Sequence, residues 1–156
     1  MHITIVAVGQ KLPAWAQTAV DDYLARFPRD FTVIVKEVKA EARTGGKPVA
    51  QVMAAEAERI ERAIPAGDIL VAMDEHGRDM TTVDFSKKIS GWKNEGCGVT
   101  FIIGGADGLD PALKAKSRMM LRLSSMTLPH AFARVLLTEQ IYRAWSILAN
   151  HPYHRV

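Results

Sequence analysis

Three groups of residues in the last third of this chain have the types and spacing to do chemistry. Gly104-Gly105-Ala106-Asp107-Gly108 follows an apolar run, and a glycine pair there lets backbone approach a ligand closely or simply makes a tight strand-to-helix turn. Leu123-Ser124-Ser125-Met126-Thr127-Leu128 alternates apolar side chains with hydroxyls. Its backbone N–H and C=O groups and hydroxyls could meet a flat heterocycle such as adenine while the leucines and Met126 flank the ring, although an edge strand running into a Ser/Thr turn reads the same way. Asn150–Arg155 packs His151, Tyr153, His154 and Arg155 together. Imidazole, phenol and guanidinium are the groups that stack on and hydrogen-bond to unpaired bases, or that pin an ordinary tail to its core. Glu139 and Arg143, four apart, make either a surface ion pair or, in a cleft, a receptor for an anion or carbonyl.

Other chemistries lack their residues. There is no dinucleotide fingerprint, no G-x-x-x-x-G-K-[ST] phosphate loop and no G-x-S-x-G elbow, so NAD, triphosphates and serine hydrolysis are not expected. His151 and His154 have no evident third and fourth ligand, so no metal is expected. The lone Cys97 allows no internal disulfide and reads as a buried thiol at a strand entrance.

The elements that must position these groups alternate along the chain. Strands are expected over 2–8, 31–38, 69–73, 99–103 and about 120–123. Helices are expected from Pro13 to Phe27 with a stripe of Trp15, Val20, Tyr23, Leu24 and Phe27, over 48–64, from Thr81 with Val83, Phe85, Ile89 and Trp92 inward, from Asp110-Pro111, and over 131–149. Alternation of this kind predicts an α/β fold, a mostly parallel sheet with helices on both faces, in one domain over 1–156. Ligands of such sheets bind beyond the carboxyl ends of the strands, where Asp74, Gly104 and Ser124 all fall. The final helix is apolar around most of its circumference, which predicts a covering partner and hence a homodimer.

At 156 residues, 48% of them hydrophobic, the chain can bury a core without disulfides or metal. No stretch reaches the roughly 18 apolar residues of a membrane helix, and the start reads as a strand, so no membrane is expected and the cytoplasm is the expected compartment. The formal charge of +3 is uneven: residues 111–156 hold seven Lys and Arg against Glu139 alone, giving +6, while residues 1–110 carry −3. That asymmetry points to a polyanionic partner on one face, or to a solvated basic face. Loop 39–47, with Lys39, Arg43 and Lys47, reads as a mobile basic arm or an inert connection.

Together, Val6–Gly9, the Tyr23–Pro28 helix end, Phe101–Leu109, Leu123–His130, Glu139–Trp145 and Asn150–Arg155 closely resemble the ribosomal RNA large subunit methyltransferase H family, small SPOUT-class enzymes, from end to end. The resemblance implies a C-terminal trefoil knot, which general topology rules argue against, a homodimer, and S-adenosylmethionine (S-adenosyl-L-methionine) bound at Met73, Gly104 and Leu123, Ser124, Ser125, Met126, Thr127 and Leu128. It implies methylation of N3 of a pseudouridine in 23S rRNA within the assembled ribosome, without metal. On that reading Tyr153, His154 and Arg155 position the base, Arg143 steadies charge on a uracil carbonyl, and His154 accepts the N3 proton, with Glu139 the second candidate. Ala106-Asp107 departs from the family's Pro-Glu, and the loop after Asp74 is unusually polar. A non-catalytic ribosome-binding factor and a small-molecule methyltransferase are the competing classes.

Overall fold

Residues 1–9 and 11–155 are described in the computed structural model. Five strands, β1 (His2–Val8), β2 (Thr32–Val38), β3 (Ile69–Arg78), β4 (Val99–Ile103) and β5 (Met119–Leu121), form one sheet in the order β2-β1-β4-β3-β5, and every pairing is parallel. Between and after them run α1 (Ala14–Leu24), α2 (Val49–Ala63), α3 (Thr82–Asn94), α4 (Pro111–Lys116) and α5 (His130–Leu148).

The pleat sorts side chains into two cores. Ile3, Ile5 and Ala7 of β1 pack with Phe101 of β4, Ile89 of α3 and Leu137 and Ile141 of α5 on one face. Val6 and Val8 pack on the other with Ile60 of α2 and Leu113 of α4. Because β4 lies between two parallel neighbours and under helices on both sides, all five of its residues are buried, which explains the unbroken apolar run VTFII. Local chemistry sets helix starts: Thr81 Oγ1 accepts from the Asp84 N–H at 3.1 Å to open α3, and Asp110 Oδ1 accepts from the Ala112 N–H at 2.8 Å to open α4.

Three expectations change. Strand β3 does not stop at Met73 but continues to Arg78, pairing Arg78 with Leu121 after a register irregularity. Backbones meet so closely there that a Cβ on Gly77 would lie 2.7 Å from the Leu121 carbonyl carbon, so glycine is needed. Second, Val83 is 38% exposed rather than inward, and Trp15 is 50% exposed, resting on Phe132 with ring centroids 4.8 Å apart. Third, α5 finds most of its cover inside the chain, from the sheet, α1 and α3, leaving Phe132, Leu136 and Leu148 outside.

Candidate functional site

Register brings two of the three chemical groups, the glycine loop and 123–128, to one end of the sheet. Met73 of β3 pairs with Ile103 of β4 on one side and Leu121 of β5 on the other, so Asp74 and the segments after β4 and β5 start at one level. They enclose a cavity of two lobes. The smaller, about 150 Å³, is mainly apolar and lined by Met73, Ile103, Leu121, Leu123, Ser124, Met126, Thr127 and Leu128. The larger, about 580 Å³, is of mixed polarity, the more polar of the two, and lined by Asp74, Glu75, His76, Gly104–Gly108, Lys114 and His130 together with Met53, Leu109 and Pro111. Met73, Asp74, Glu75, Ile103, Leu128 and Ala133 line both, so the lobes adjoin.

Each wall has a local cause. Ser124 Oγ accepts from the Met126 N–H at 2.9 Å, a side-chain turn that folds 123–128 over the small lobe. Ser125 faces outward and does not line it, and Met126, although it lines the lobe, is 76% exposed. The glycine loop closes on itself: the Gly108 N–H donates to the Gly105 carbonyl at 3.0 Å, and a Cβ on Gly104 would lie 2.6 Å from the Gly108 carbonyl carbon. Gly104 is therefore needed by its own loop, which in turn shapes the polar lobe. Burial alone would raise the Asp74 pKa, but the His76 N–H at 2.8 Å and Lys114 Nζ at 3.2 Å more than offset it and hold the carboxyl below its usual range. Asp74 is thus an anion with a cation beside it.

Sequence reasoning missed a second layer behind the polar lobe. Arg134 is 1% exposed; its Nη1 donates to Glu37 at 2.7 Å and its Nη2 to His130 Nε2 at 3.1 Å. The signal was present as the one cation on the buried face of α5, one turn after His130. Burial first, then the Arg134 charge, lowers the His130 pKa, and the Glu37 carboxylate opposes only in part. The neutral ring is therefore favoured by folding. Above its ordinary value of 6.5 that stabilisation is complete, and it is lost as pH falls through the lower folded value. His130→Asn should accordingly flatten the loss of thermal stability expected as pH falls below about 6.5, read from melting curves beside the unaltered protein; parallel curves would contradict the assignment.

The C-terminal groups form a separate cluster. Glu139 Oε1 accepts from Arg143 Nε at 2.8 Å and from the Tyr153 hydroxyl at 3.0 Å, while Oε2 accepts from Gln140 at 2.8 Å. Having given its proton to Glu139, the Tyr153 oxygen accepts from Tyr23 at 2.9 Å. Burial, then Tyr23 and Glu139, push the Tyr153 pKa up strongly, so it stays a neutral phenol. Hydrogen bonding to Glu139 likewise holds Arg143 charged. His154 sits on Ser146: its N–H donates to Ser146 Oγ at 3.0 Å and its Nδ1 pairs with the same oxygen, leaving Nε2 free of it. Arg155 is exposed. Tyr23 and Ser146 were not singled out from sequence, since a tyrosine on a helix stripe and a serine on an apolar helix read as packing.

Within one subunit the two clusters lie apart. Ala133 lines the cavity; along α5 the rise from it to Glu139, which bonds Tyr153 and Arg143, is about 9 Å, and to Ser146, which holds His154, about 20 Å. Met73, Gly104, Leu123, Ser124, Met126, Thr127 and Leu128 are brought together; Glu139, Arg143, Tyr153 and His154 are gathered elsewhere.

Charge is also redistributed by folding. Six of the seven cations in 111–156 pair with acids: Lys114 with Asp74, Lys116 with Glu61, Arg118 with Glu95, Arg122 with Asp79, Arg134 with Glu37 and Arg143 with Glu139. Five of these acids belong to the first 110 residues, so the basic third of the sequence is not a basic face. Arg43 of the basic arm reaches Asp107 Oδ2 at 2.6 Å, and the Glu41 N–H donates to the buried Glu56 at 3.1 Å, so the arm is tied to the glycine loop and α2. Among the described residues no cluster of three His, Cys, Asp or Glu side chains is arranged for a metal, and no helix is long and apolar enough to cross a membrane.

The family described as "Predicted SPOUT methyltransferase" matches residues 1–154. The chain is 53% identical over 156 residues to the ribosomal RNA large subunit methyltransferase H of Ralstonia pickettii, covering 100% of both. With that of Bordetella avium it shares 55% over 155 residues, 99% of each. Among solved structures, a methylase family protein from Haemophilus influenzae superposes with TM-score 0.59 at 12% identity, over 99% of this chain and 70% of that one. One from Neisseria gonorrhoeae gives 0.54 at 14%, over 99% and 95%. These two likenesses are of fold.

Proposed function

The chain belongs to the ribosomal RNA large subunit methyltransferase H family of SPOUT methyltransferases, and from that premise we propose that it methylates N3 of a pseudouridine in 23S rRNA of the assembled ribosome, using S-adenosylmethionine. The observation that carries the proposal is the two-lobed cavity at the strand ends, because its donor set suits that cofactor. An apolar slot with exposed loop backbone fits adenine, and a polar lobe holding both signs of charge fits a zwitterion. Met73, Gly104 and 123–128 would hold the cofactor, with Ser125 contributing only backbone. When bound, it supplies an electrophilic methyl group on a sulfonium.

The remaining work falls to the tail. Tyr153 and Arg155 hold the base, and Arg143, kept charged by Glu139, steadies negative charge on a uracil carbonyl as N3 loses its proton. His154 accepts that proton through Nε2, its ring set by Ser146. Glu139 is the poorer acceptor, since three donors already occupy its oxygens.

His154, held by Ser146 about 20 Å along α5 from the cavity wall at Ala133, is too far to take a proton from a base at the cavity of its own subunit. We read the working unit as a homodimer in which the tail of one protomer completes the cavity of the other. The exposed stripe of Trp15, Phe132 and Leu136, at 50%, 49% and 37%, gives that dimer an apolar face. The knotted threading of the C-terminal part and a cytoplasmic location, where ribosomes are, belong to the same reading.

The test is incubation with labelled cofactor and unmodified ribosomes, isolated subunits or naked rRNA, followed by mapping of the modified base. Label on one pseudouridine of 23S rRNA is expected, and transfer to none of the three would overturn the reading. Cofactor binding with no transfer would instead mark a ribosome-binding factor that retained the fold. Ribosome affinity should also fall as salt rises from 50 to 200 mM while affinity for the cofactor's demethylated product stays level; ribosome binding indifferent to salt would count against contact with the rRNA backbone.

A further inference from the structure

The polar lobe has a donor whose hydrogen is fixed from behind. Arginine offers only N–H groups, so the contact of 3.1 Å between Arg134 Nη2 and His130 Nε2 makes that ring nitrogen the acceptor. The single proton of a neutral ring then sits on Nδ1. This is the less common form of histidine, and the arginine that imposes it is 1% exposed and anchored by Glu37 at 2.7 Å. Since His130 lines the polar lobe with Nε2 engaged, the only N–H it can present there is Nδ1–H. His130 is also the first residue of the 19-residue α5, whose opening N–H groups carry partial positive charge into the same lobe. Lys114 lines that lobe too, although Asp74 shares its charge, and of the lobe's other acids Asp107 is paired with Arg43 while Glu75 adds negative charge. A neutral donor, a helix start and an ammonium on one side of a cavity suit a carboxylate.

Resting on the reading of the cavity as a cofactor site, we propose that His130 donates Nδ1–H to the carboxylate at the amino-acid end of S-adenosylmethionine, and that Arg134 and Glu37 are positioning residues acting through His130. Adenine then occupies the apolar lobe, and the amino-acid end lies under the glycine loop. Among the described residues no group pairs with the buried Arg134 Nε, so the two hydrogen bonds seen for the guanidinium are those to Glu37 and His130.

Calorimetric titration with two ligands tests this: S-adenosylhomocysteine, which keeps the amino-acid end, and 5′-methylthioadenosine, which lacks it. His130→Ala should weaken the first by tenfold to about a hundredfold, the range for a hydrogen bond to a charged group, and leave the second unchanged. His130→Asn, whose amide can place an N–H where Nδ1 was, should restore most of the loss. Nitrogen-15 spectra of the unaltered protein should show His130 protonated on Nδ1. Glu37→Ala, a change at a half-exposed side chain, should shift that proton toward Nε2 and weaken S-adenosylhomocysteine alone. Equal losses for both ligands, no loss for either, or a proton on Nε2 in the unaltered protein would overturn the proposal while leaving the cofactor site standing. If the unaltered protein bound neither ligand, the proposal and the reading beneath it would fall together.

Discussion

Gly104→Ala is expected to weaken cofactor binding. Its Cβ would lie 2.6 Å from the Gly108 carbonyl carbon, 2.7 Å from that carbonyl's oxygen and 2.9 Å from the Leu109 nitrogen, all backbone atoms that no rotamer change can move aside. The loop must shift as a unit, and Leu109, which is buried in the second core, must shift with it. Overpacking of this kind costs about 1–3 kcal/mol. Part of that cost appears as lower stability and part as a lobe of the wrong shape, so affinity for S-adenosylhomocysteine should fall by about tenfold, and by up to about a hundredfold if most of the cost falls on the lobe, with a lower melting temperature. Gly91→Ala is the control. Nothing lies within 4 Å of its Cβ, it sits inside α3, and replacing a mid-helix glycine should stabilise by roughly 0.5–1 kcal/mol without touching affinity. Binding by Gly104→Ala at the level of the unaltered protein would remove the glycine loop from the site.

Removal of the His154 imidazole is expected to have the largest effect on turnover. Proton acceptance by a positioned side chain contributes about 10²–10⁴-fold, so His154→Ala and His154→Gln should lose that much transfer at saturating cofactor and bind S-adenosylhomocysteine normally. The separation of tail and cavity along α5 sharpens the test. At cofactor levels too low to fill the weakened cavity, Gly104→Ala lacks a working cavity and His154→Ala lacks a working tail, so each alone should be nearly silent. If the tail serves the partner's cavity, half of the dimers in an equal mixture are mixed and one of their two sites has both intact parts. Mixing should then recover about a quarter of the original activity. No recovery on mixing would place cavity and tail in the same subunit, contrary to the helix length.

The alternation of strand and helix was legible because it depends on local pattern. Runs such as VTFII can only be strands buried on both faces, and Thr81 and Asp110 cap helices through neighbours two or three residues away. Extension of β3 to Arg78 was not legible. The segment Asp74–Arg78 is polar and contains glycine, and its strand geometry comes from lying across Leu121, more than forty residues later. Helical periodicity puts Trp15 in an apolar stripe and Val83 inward, but it marks an apolar side of a helix and not whether the chain itself covers it.

By itself the sequence determined which loops have the residue types for chemistry, through glycine spacing, alternating hydroxyls and a basic aromatic tail, and it determined that parallel strand ends would present two of those loops together. Only the tertiary structure decided their grouping. Strand register places Met73, Gly104 and 123–128 around one cavity, whereas a rigid helix of 19 residues holds Glu139, Arg143, Tyr153 and His154 away from it. The structure likewise turned a basic third into a set of ion pairs and gave His130 its proton position through Arg134 and Glu37. The physical reason is the same in each case. Side-chain type and local spacing are properties of short segments, while charge pairing, ring protonation and distance between sites depend on residues that only folding brings within a few ångströms.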